Sequence, residues 1–271
     1  MQLSGFFDYK PGNSGALFSL PHIIFIVVAT FLFFFLPICL RNVSKKKITW
    51  YLRIMSVVMF LWEGIKIIWE THYDLKVEGS FNLSGLLPLY LCSMFIYVLP
   101  FAGYGKGKVQ RSALGFLCSL GIIGGFSNIF FPNIFNNYPF FSYASFVSLG
   151  FHSLMVFTGI WLLISGYFVP QKKDFLLAFL PTILFAILVI PIAYALQSKG
   201  INNDYMLILH AYGVPVLESL GKTMIAHGLQ WLFTILMIVV FYVITILMLL
   251  LSMGIRKICL SIQNKKKEKG I

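Results

Sequence analysis

Residues 229–254 read LQWLFTILMIVVFYVITILMLLLSMG, a stretch that contains no charged side chain. A bilayer core about 30 Å thick is crossed by a helix of roughly 20 apolar residues. This stretch therefore predicts a membrane-spanning helix. Six upstream stretches have a similar length and character, at residues 17–40, 49–69, 84–104, 112–131, 142–168 and 175–197.

The composition of the whole chain agrees with a membrane protein. Hydrophobic residues make up 59% of the 271 residues and charged residues only 11%, which is atypical of a soluble domain. Backbone polar groups in hydrocarbon must pair internally, so spanning segments are helices or closed barrels, and a barrel would show alternating polarity. We therefore predict an all-α, polytopic membrane helix bundle with seven transmembrane helices, forming a single membrane domain over residues 1–271.

The basic residues fall mainly on alternate connections between these stretches. Short cytoplasmic loops carry an excess of Lys and Arg, which predicts an outside N-terminus, a cytoplasmic C-terminus with a basic tail over 255–271, and residence in the plasma membrane. The net charge of +12 thus favours a lipid surface over nucleic acid as partner. The basic residues of the first, third and fifth connections and of the tail are Arg41, Lys45, Lys46, Lys47, Lys106, Lys108, Arg111, Lys172, Lys173, Arg256, Lys257, Lys265, Lys266, Lys267 and Lys269.

Ionisable residues within predicted spans are costly and indicate functional sites. Glu63, Lys66 and Glu70 in the second stretch are spaced to lie on one helical face. They predict either an ion pair that orients this helix or a relay for protons or cations.

Two further side chains in predicted spans carry possible chemistry. Cys92 and His152 are expected at similar depths in the outer half of the bilayer, where an imidazole could accept the proton of a thiol that attacks an ester or thioester. The alternative is that Cys92 packs as a small apolar residue, as Cys118 is expected to do. The cysteines lack metal-site or disulfide-framework spacing, so no metal or cofactor is expected.

Three short motifs resemble the YwaF-like bacterial integral membrane proteins. They are Leu87-Pro-Leu-Tyr-Leu-Cys92, Gly150-Phe-His-Ser-Leu154 and Asn203-Asp-Tyr-Met-Leu207, in that order along the chain. That family is distantly similar to animal transmembrane acyltransferases that transfer acyl chains to lysophospholipids. The resemblance implies a catalytic pair at Cys92 and His152, a Cys92 thioester and a lysophospholipid acceptor. Leu86 and Tyr90 stand where the pattern has His, so Tyr90 alone keeps a polar group there.

Other functions remain open from the sequence. Glu63 and Lys66 could serve a small-solute or ion transporter, and Pro181 and Pro191 could kink or break the sixth stretch as in transporters. The chain could also be a non-catalytic membrane structural protein. The oligomeric state is not indicated.

Two features outside the spans complete the predictions. The segment 198–228 is the longest outer connection, and it is expected to contain an interfacial helix that packs over the bundle end or acts as a lid. His22, which follows Pro21 at the outer start of the first stretch, is expected to contact water.

Overall fold

Ten α-helices follow one another in the part of the chain that the computed structural model describes, namely residues 3–8, 16–201, 203–211 and 215–268. The described residues contain no strand. Short 3₁₀ turns lie at Leu3–Phe7, Asn133–Asn136 and Tyr205–Leu207, and a π-helical turn lies at Asp74–Glu78. The helices are α1 (Leu20–Cys39), α2 (Lys45–Tyr73), α3 (Leu83–Leu86), α4 (Met94–Tyr104), α5 (Gly107–Leu117), α6 (Leu120–Phe130), α7 (Tyr143–Ile164), α8 (Asp174–Ser198), α9 (Pro215–Ala226) and α10 (Gln230–Glu268).

Five helical segments in the described residues are long and apolar enough to cross a membrane: Leu20–Cys39, Gly107–Asn136, Tyr143–Ile164, Asp174–Ser198 and Gln230–Ile258. An all-helical, multi-pass membrane protein is therefore confirmed. The count of seven spans and the orientation of the termini stay predictions. Helix α2 is 29 residues long but carries several charged side chains, and it is not among the five.

The predicted helix over 84–104 is wrong as a continuous element. It divides into α3 and α4, and the backbone from Leu87 to Ser93 between them is not helical. Proline disfavours a helical conformation in the residue before it and lacks an N–H donor. Leu87, which precedes Pro88, is accordingly extended at φ −81° and ψ 116°.

The predicted helix over 112–131 starts earlier, at Gly107, and is interrupted between α5 and α6. At the interruption the Ser119 hydroxyl donates a 2.7 Å hydrogen bond to the Gly115 carbonyl, and such side-chain bonds compete with helix geometry. By contrast, α8 runs unbroken through Pro181 and Pro191, so the break considered there from the sequence does not occur.

Close helix packing depends on two glycines. A Cβ atom at Gly115 would lie 2.6 Å from the Ala178 Cβ, and one at Gly125 would lie 2.6 Å from a Val156 methyl group. Small residues allow this approach between membrane helices. They bring α5 against α8 and α6 against α7.

The basic connections meet at one end of the bundle. Arg256 of α10 reaches to within 3.9 Å of the position that a Cβ would occupy at Gly166, so α10 also reaches this end. The side chains of the tail from residue 259 onward lie outside the described residues. Four contacts join the basic connections: Trp161 Nε1 to the Leu40 carbonyl (3.1 Å), Arg53 Nε to the Gly103 carbonyl (2.8 Å), Thr49 to Tyr167 (2.8 Å) and Arg111 to Asp174.

Candidate functional site

The three motifs converge on one apolar cluster. Cys92 lies in the non-helical segment before α4, and it packs against the cluster that contains Phe151 of α7 and Tyr205 of the turn after α8. The Tyr90 and Tyr205 rings are 5.2 Å apart, and those of Phe95 and Phe151 are 5.8 Å apart. Residues distant in sequence are thereby gathered around the break between α3 and α4.

Cys92 is a partly exposed, free thiol next to the start of α4. It directly precedes Ser93, the N-cap of that helix. The Lys66 ammonium also interacts electrostatically with the thiol. The Lys66 charge favours a thiolate at Cys92, whereas desolvation of the partly buried thiol and the Glu63 carboxylate disfavour it.

His152 on α7 is buried, with 5% of its surface exposed. Its Nδ1 lies 2.7 Å from the Ser148 carbonyl, which can only accept, so Nδ1 carries the proton and donates. Nε2 is buried and has no hydrogen-bond partner among the described residues. A neutral His152 therefore offers an unused lone pair on Nε2, as a general base requires.

The three charged residues predicted to share a face of α2 are joined. Lys66 Nζ lies 2.9 Å from a Glu63 carboxylate oxygen and 4.0 Å from one of Glu70. The interaction predicted from their spacing is confirmed. Lys66 also interacts electrostatically with both Cys92 and His152, so its positive charge acts on both residues.

Tyr90 and the motif at 203–207 pack against each other beside this region. Asp204 interacts electrostatically with Tyr90, and its Oδ1 accepts hydrogen bonds from the backbone N–H groups of Leu209 and His210 at 3.1 and 2.9 Å. Burial and the neighbouring Tyr90 raise the pKa of the Tyr205 phenol. Tyr205 is therefore neutral and keeps its proton for donation.

His22 differs from His152. The expectation of a water-exposed His22 is wrong, because the residue is fully buried. Its Nε2 lies 2.9 Å from the Ile129 carbonyl, and its Nδ1 accepts a hydrogen bond from the Phe18 N–H at 3.0 Å. Both ring nitrogens are used, so His22 tethers α1 to the end of α6 and has no free lone pair.

Other predicted features take structural positions. Cys118 is fully buried, with Sγ 3.5 Å from the Gly159 carbonyl, in keeping with a packing role. The expected helix within 198–228 is present as α9, with Glu218 and Lys222 paired at 2.7 Å, and its position at the membrane interface stays a prediction. No group of three or more His, Cys, Asp or Glu side chains in the described ranges is arranged to hold a metal ion.

Sequence reasoning missed one polar group beside the site. Trp62 Nε1 is buried and lacks a hydrogen-bond partner among the described residues, and its ring lies 3.3 Å from the position of a Cβ at Gly150. It thus contacts α7 two residues before His152. In the sequence, the position of Trp62 directly before Glu63 in a predicted membrane helix was the feature that could have indicated it.

These features define the chain as a multi-pass helical membrane protein in which a partly exposed Cys lies at a broken helix and the lysine of a helical ion pair interacts electrostatically with this Cys and with a buried His. The family model of the TMEM164 family matches residues 17–255, and the chain belongs to that family. The match includes the segments at 87–92, 150–154 and 203–207. No curated protein and no solved structure matches the chain.

Proposed function

We propose that this protein is a Cys-dependent acyltransferase that moves acyl chains between membrane phospholipids and lysophospholipids. Cys92 is the nucleophile and His152 is the base. Membrane lipids are its partners, and a lysophospholipid is the acceptor. The resemblance to YwaF-like proteins, and through them to animal transmembrane acyltransferases, agrees with this proposal.

One observation carries the proposal, namely the unused lone pair on His152 Nε2. A buried polar atom without a partner costs about 1–3 kcal/mol, so its persistence suggests a role in binding or chemistry. The proton on Nδ1 is held by the Ser148 carbonyl, which leaves Nε2 as the basic atom. Cys92 packs against the apolar cluster that contains Phe151, the residue before His152, and Lys66 interacts electrostatically with both Cys92 and His152.

In the first half of the reaction, Cys92 Sγ bonds to the acyl carbonyl carbon of a phospholipid ester. The thiol proton moves to His152 Nε2, and the ester C–O bond breaks. The departing lysophospholipid oxygen then takes this proton. The acyl chain remains on Cys92 as a thioester.

In the second half, the hydroxyl of an acceptor lysophospholipid attacks the thioester carbon. His152 Nε2 takes the hydroxyl proton as the new ester bond forms and the C–S bond breaks. The proton returns to Sγ, so thiol and imidazole end as they began. No oxidant or reductant is required.

The proposal includes a placement in the membrane. We assign seven spans in one domain, an outside N-terminus and a cytoplasmic C-terminus in the plasma membrane, with the basic end of the bundle in the cytoplasm. Helix α4 runs from Cys92 toward this basic end, so Cys92 belongs to the opposite, outer half. The donor and acceptor lipids are therefore taken from the outer leaflet.

Intact mass spectrometry of the purified protein after incubation with defined phospholipids tests the proposal. The variants are Cys92→Ala, His152→Gln and, as the matched control, Cys118→Ala. We expect one hydroxylamine-labile acyl mass on the wild type and on Cys118→Ala, none on Cys92→Ala, and discharge by added lysophospholipid. Absence of an adduct with every donor, or its persistence in Cys92→Ala, would refute a Cys92 thioester.

A second candidate function is ion or small-solute transport through Glu63 and Lys66. The partly buried contact between these residues favours it, since charged side chains inside membrane helices often serve ion pathways. Flux into liposomes separates the two functions. Transport predicts that Glu63→Gln abolishes flux and that Cys92→Ala leaves it unchanged, whereas flux absent from the wild type removes this candidate.

A further inference from the structure

Two adjoining cavities lie at the basic end of the bundle, away from Cys92. The one of about 440 Å³ is lined by Lys45, Thr49, Gly107, Gln110, Arg111, Leu114, Tyr167 and Phe168. The one of about 580 Å³ is lined by Gly107, Lys108, Arg111, Lys173, Leu176 and Leu177. Gly107 and Arg111 line both, so the cavities form one continuous concave surface across the starts of α2, α5 and α8.

The Arg111 charge is already neutralised within the protein. Its guanidinium pairs with Asp174, with Nη2 2.6 Å from Oδ2, and Nη2 also donates to the Val169 carbonyl at 2.9 Å. Asp174 is fully buried and accepts a further bond from the Gln171 N–H at 2.6 Å. This pair therefore forms a rigid wall between the cavities and leaves no free carboxylate to bind a cation.

Three lysines supply the net charge of the surface. Lys45, Lys108 and Lys173 come from three different helices or their caps, and none pairs with a carboxylate in the described part of the chain. No Asp or Glu lines either cavity. The first turn of α5, which starts at Gly107, adds the positive end of a helix dipole. The surface is thus suited to an anion.

The floor of the smaller cavity is polar and fixed. Thr49 Oγ1 and Tyr167 Oη lie 2.8 Å apart. Gln110 Nε2 donates to the Ala102 carbonyl at 3.0 Å and to Tyr167 Oη at 3.4 Å. Hydroxyl groups held in place can bond the glycerol or phosphate oxygens of a ligand.

The larger cavity is apolar on the side of α8. Leu176 is 71% exposed, and α8 is one of the helices long enough to cross the membrane. A ligand that satisfies both cavities has a negative head group and an adjacent hydrocarbon chain. We infer that this surface binds an anionic glycerophospholipid of the leaflet at the basic end, with its phosphate among Lys45, Lys108 and Lys173 and an acyl chain along Leu176.

This site is separate from the proposed acyl transfer. Helix α4, 11 residues long, lies between Cys92 and the basic end, a separation of roughly 16 Å at 1.5 Å per residue. The lipid held here stabilises the arrangement of α2, α5 and α8 and undergoes no reaction. Its binding is therefore independent of Cys92.

The test uses the purified full-length protein in an uncharged detergent, with bound lipid counted by native mass spectrometry. Phosphatidylglycerol is the probe, phosphatidylcholine is the neutral comparison, and inorganic phosphate is the soluble anion. The cavity variant carries Lys45→Gln, Lys108→Gln and Lys173→Gln. The matched control carries Lys46→Gln, Lys106→Gln and Lys172→Gln, which remove the same charge from the same three connections but do not line the cavities.

We expect one phosphatidylglycerol to bind the wild type in preference to phosphatidylcholine. At about 1 kcal/mol per basic side chain, the cavity variant should bind about 100-fold more weakly, and the control variant should stay within about threefold of wild type. Replacing the same three cavity lysines by Arg should restore binding. Cys92→Ala should bind as the wild type does, so loss of lipid binding and loss of acyl transfer are distinguishable.

Three results would overturn the inference. Equal weakening in the cavity and control variants would mean diffuse surface attraction. Equal binding of phosphatidylcholine would mean that the charge is not recognised. Displacement of phosphatidylglycerol by inorganic phosphate would assign the site to a soluble anion.

Discussion

Replacing Gly125 by Ala should separate α6 from α7 beside His152. An added Cβ would lie 2.6 Å from Val156 Cγ2, 2.8 Å from the His152 carbonyl oxygen and 3.3 Å from Met155 Cβ. Val156 can change rotamer, but a backbone carbonyl cannot turn away without moving α7. The contact therefore has to be relieved by shifting the helices.

Gly124 provides a matched control in the next position. A Cβ there would meet only the flexible end of Met155, at 3.7 Å. Replacing Gly by Ala stabilises a helix by about 1 kcal/mol at either position. The difference in stability between the two variants therefore reports the packing effect alone. Overpacking typically costs about 1–3 kcal/mol. At roughly 2–4 °C per kcal/mol, a difference of about 2 kcal/mol lowers the Tm of Gly125→Ala by about 6 °C relative to Gly124→Ala.

The measurement is thermal unfolding of the two variants in the same detergent. We expect Gly124→Ala to match or exceed the wild-type Tm and Gly125→Ala to fall below it. Under the proposed function, acyl transfer should decline only in Gly125→Ala, because the displaced backbone carries His152. Equal Tm values for the two variants would refute the close approach of α6 and α7 at Gly125.

Three other predictions concern charge and thiol environments. Asp174→Asn should lower the free energy of unfolding by about 3–5 kcal/mol, because it leaves Arg111 without its buried partner. Glu218→Gln, at a more exposed ion pair, should lower it by less than about 1 kcal/mol. Thermal unfolding of the two variants measures this difference. A maleimide should label partly exposed Cys92 in the folded protein and fully buried Cys118 only after unfolding, and labelling of both at equal rates would contradict the burial described here. Lys66→Met should slow alkylation of Cys92 relative to wild type because a charge that stabilises the thiolate is lost; an unchanged rate would show that Lys66 has no effect on the thiol.

The long apolar helices were the most predictable part of the fold. The predicted spans at 17–40, 142–168 and 175–197 correspond closely to α1, α7 and α8, because continuous apolar runs dictate helices in a membrane. The break between α3 and α4 was missed, although Pro88 was its signal. Hydropathy averages over about 20 residues and does not register one missing N–H group.

Side-chain pairing was predictable only within a single helix. The contacts of Lys66 with Glu63 and Glu70 follow from helical spacing, so the sequence suffices. The pair of Arg111 and Asp174 joins two helices 63 residues apart in sequence, and from the sequence Arg111 was interpreted only as a topogenic charge. Such a contact depends on helix order and rotation, which a local pattern does not specify.

The non-helical segment at Cys92 explains why the connection after α8 is buried. Irregular backbone at membrane depth persists only where protein or an aqueous cavity covers its unpaired polar groups. Tyr205, Met206, Ile208 and Leu209 are all fully buried although they precede the largely exposed helix α9, and Tyr205 packs on Tyr90. This argues that residues 205–209 pack into the bundle as cover for the broken helix, which favours the packing alternative for this segment over a lid.

Backbone strain in this covering segment supports the same conclusion. Met206 and Leu207 have φ values of 54° and 58°, a left-handed conformation that costs residues with a side chain about 1–3 kcal/mol each. Asp204 holds the turn by accepting two backbone N–H groups. The Asp204 carboxylate anchors this strained turn. The turn in its fixed position packs Tyr205 against the segment that contains Cys92. Substituting Asp204 should therefore change the reactivity of Cys92 indirectly, through the position of Tyr205.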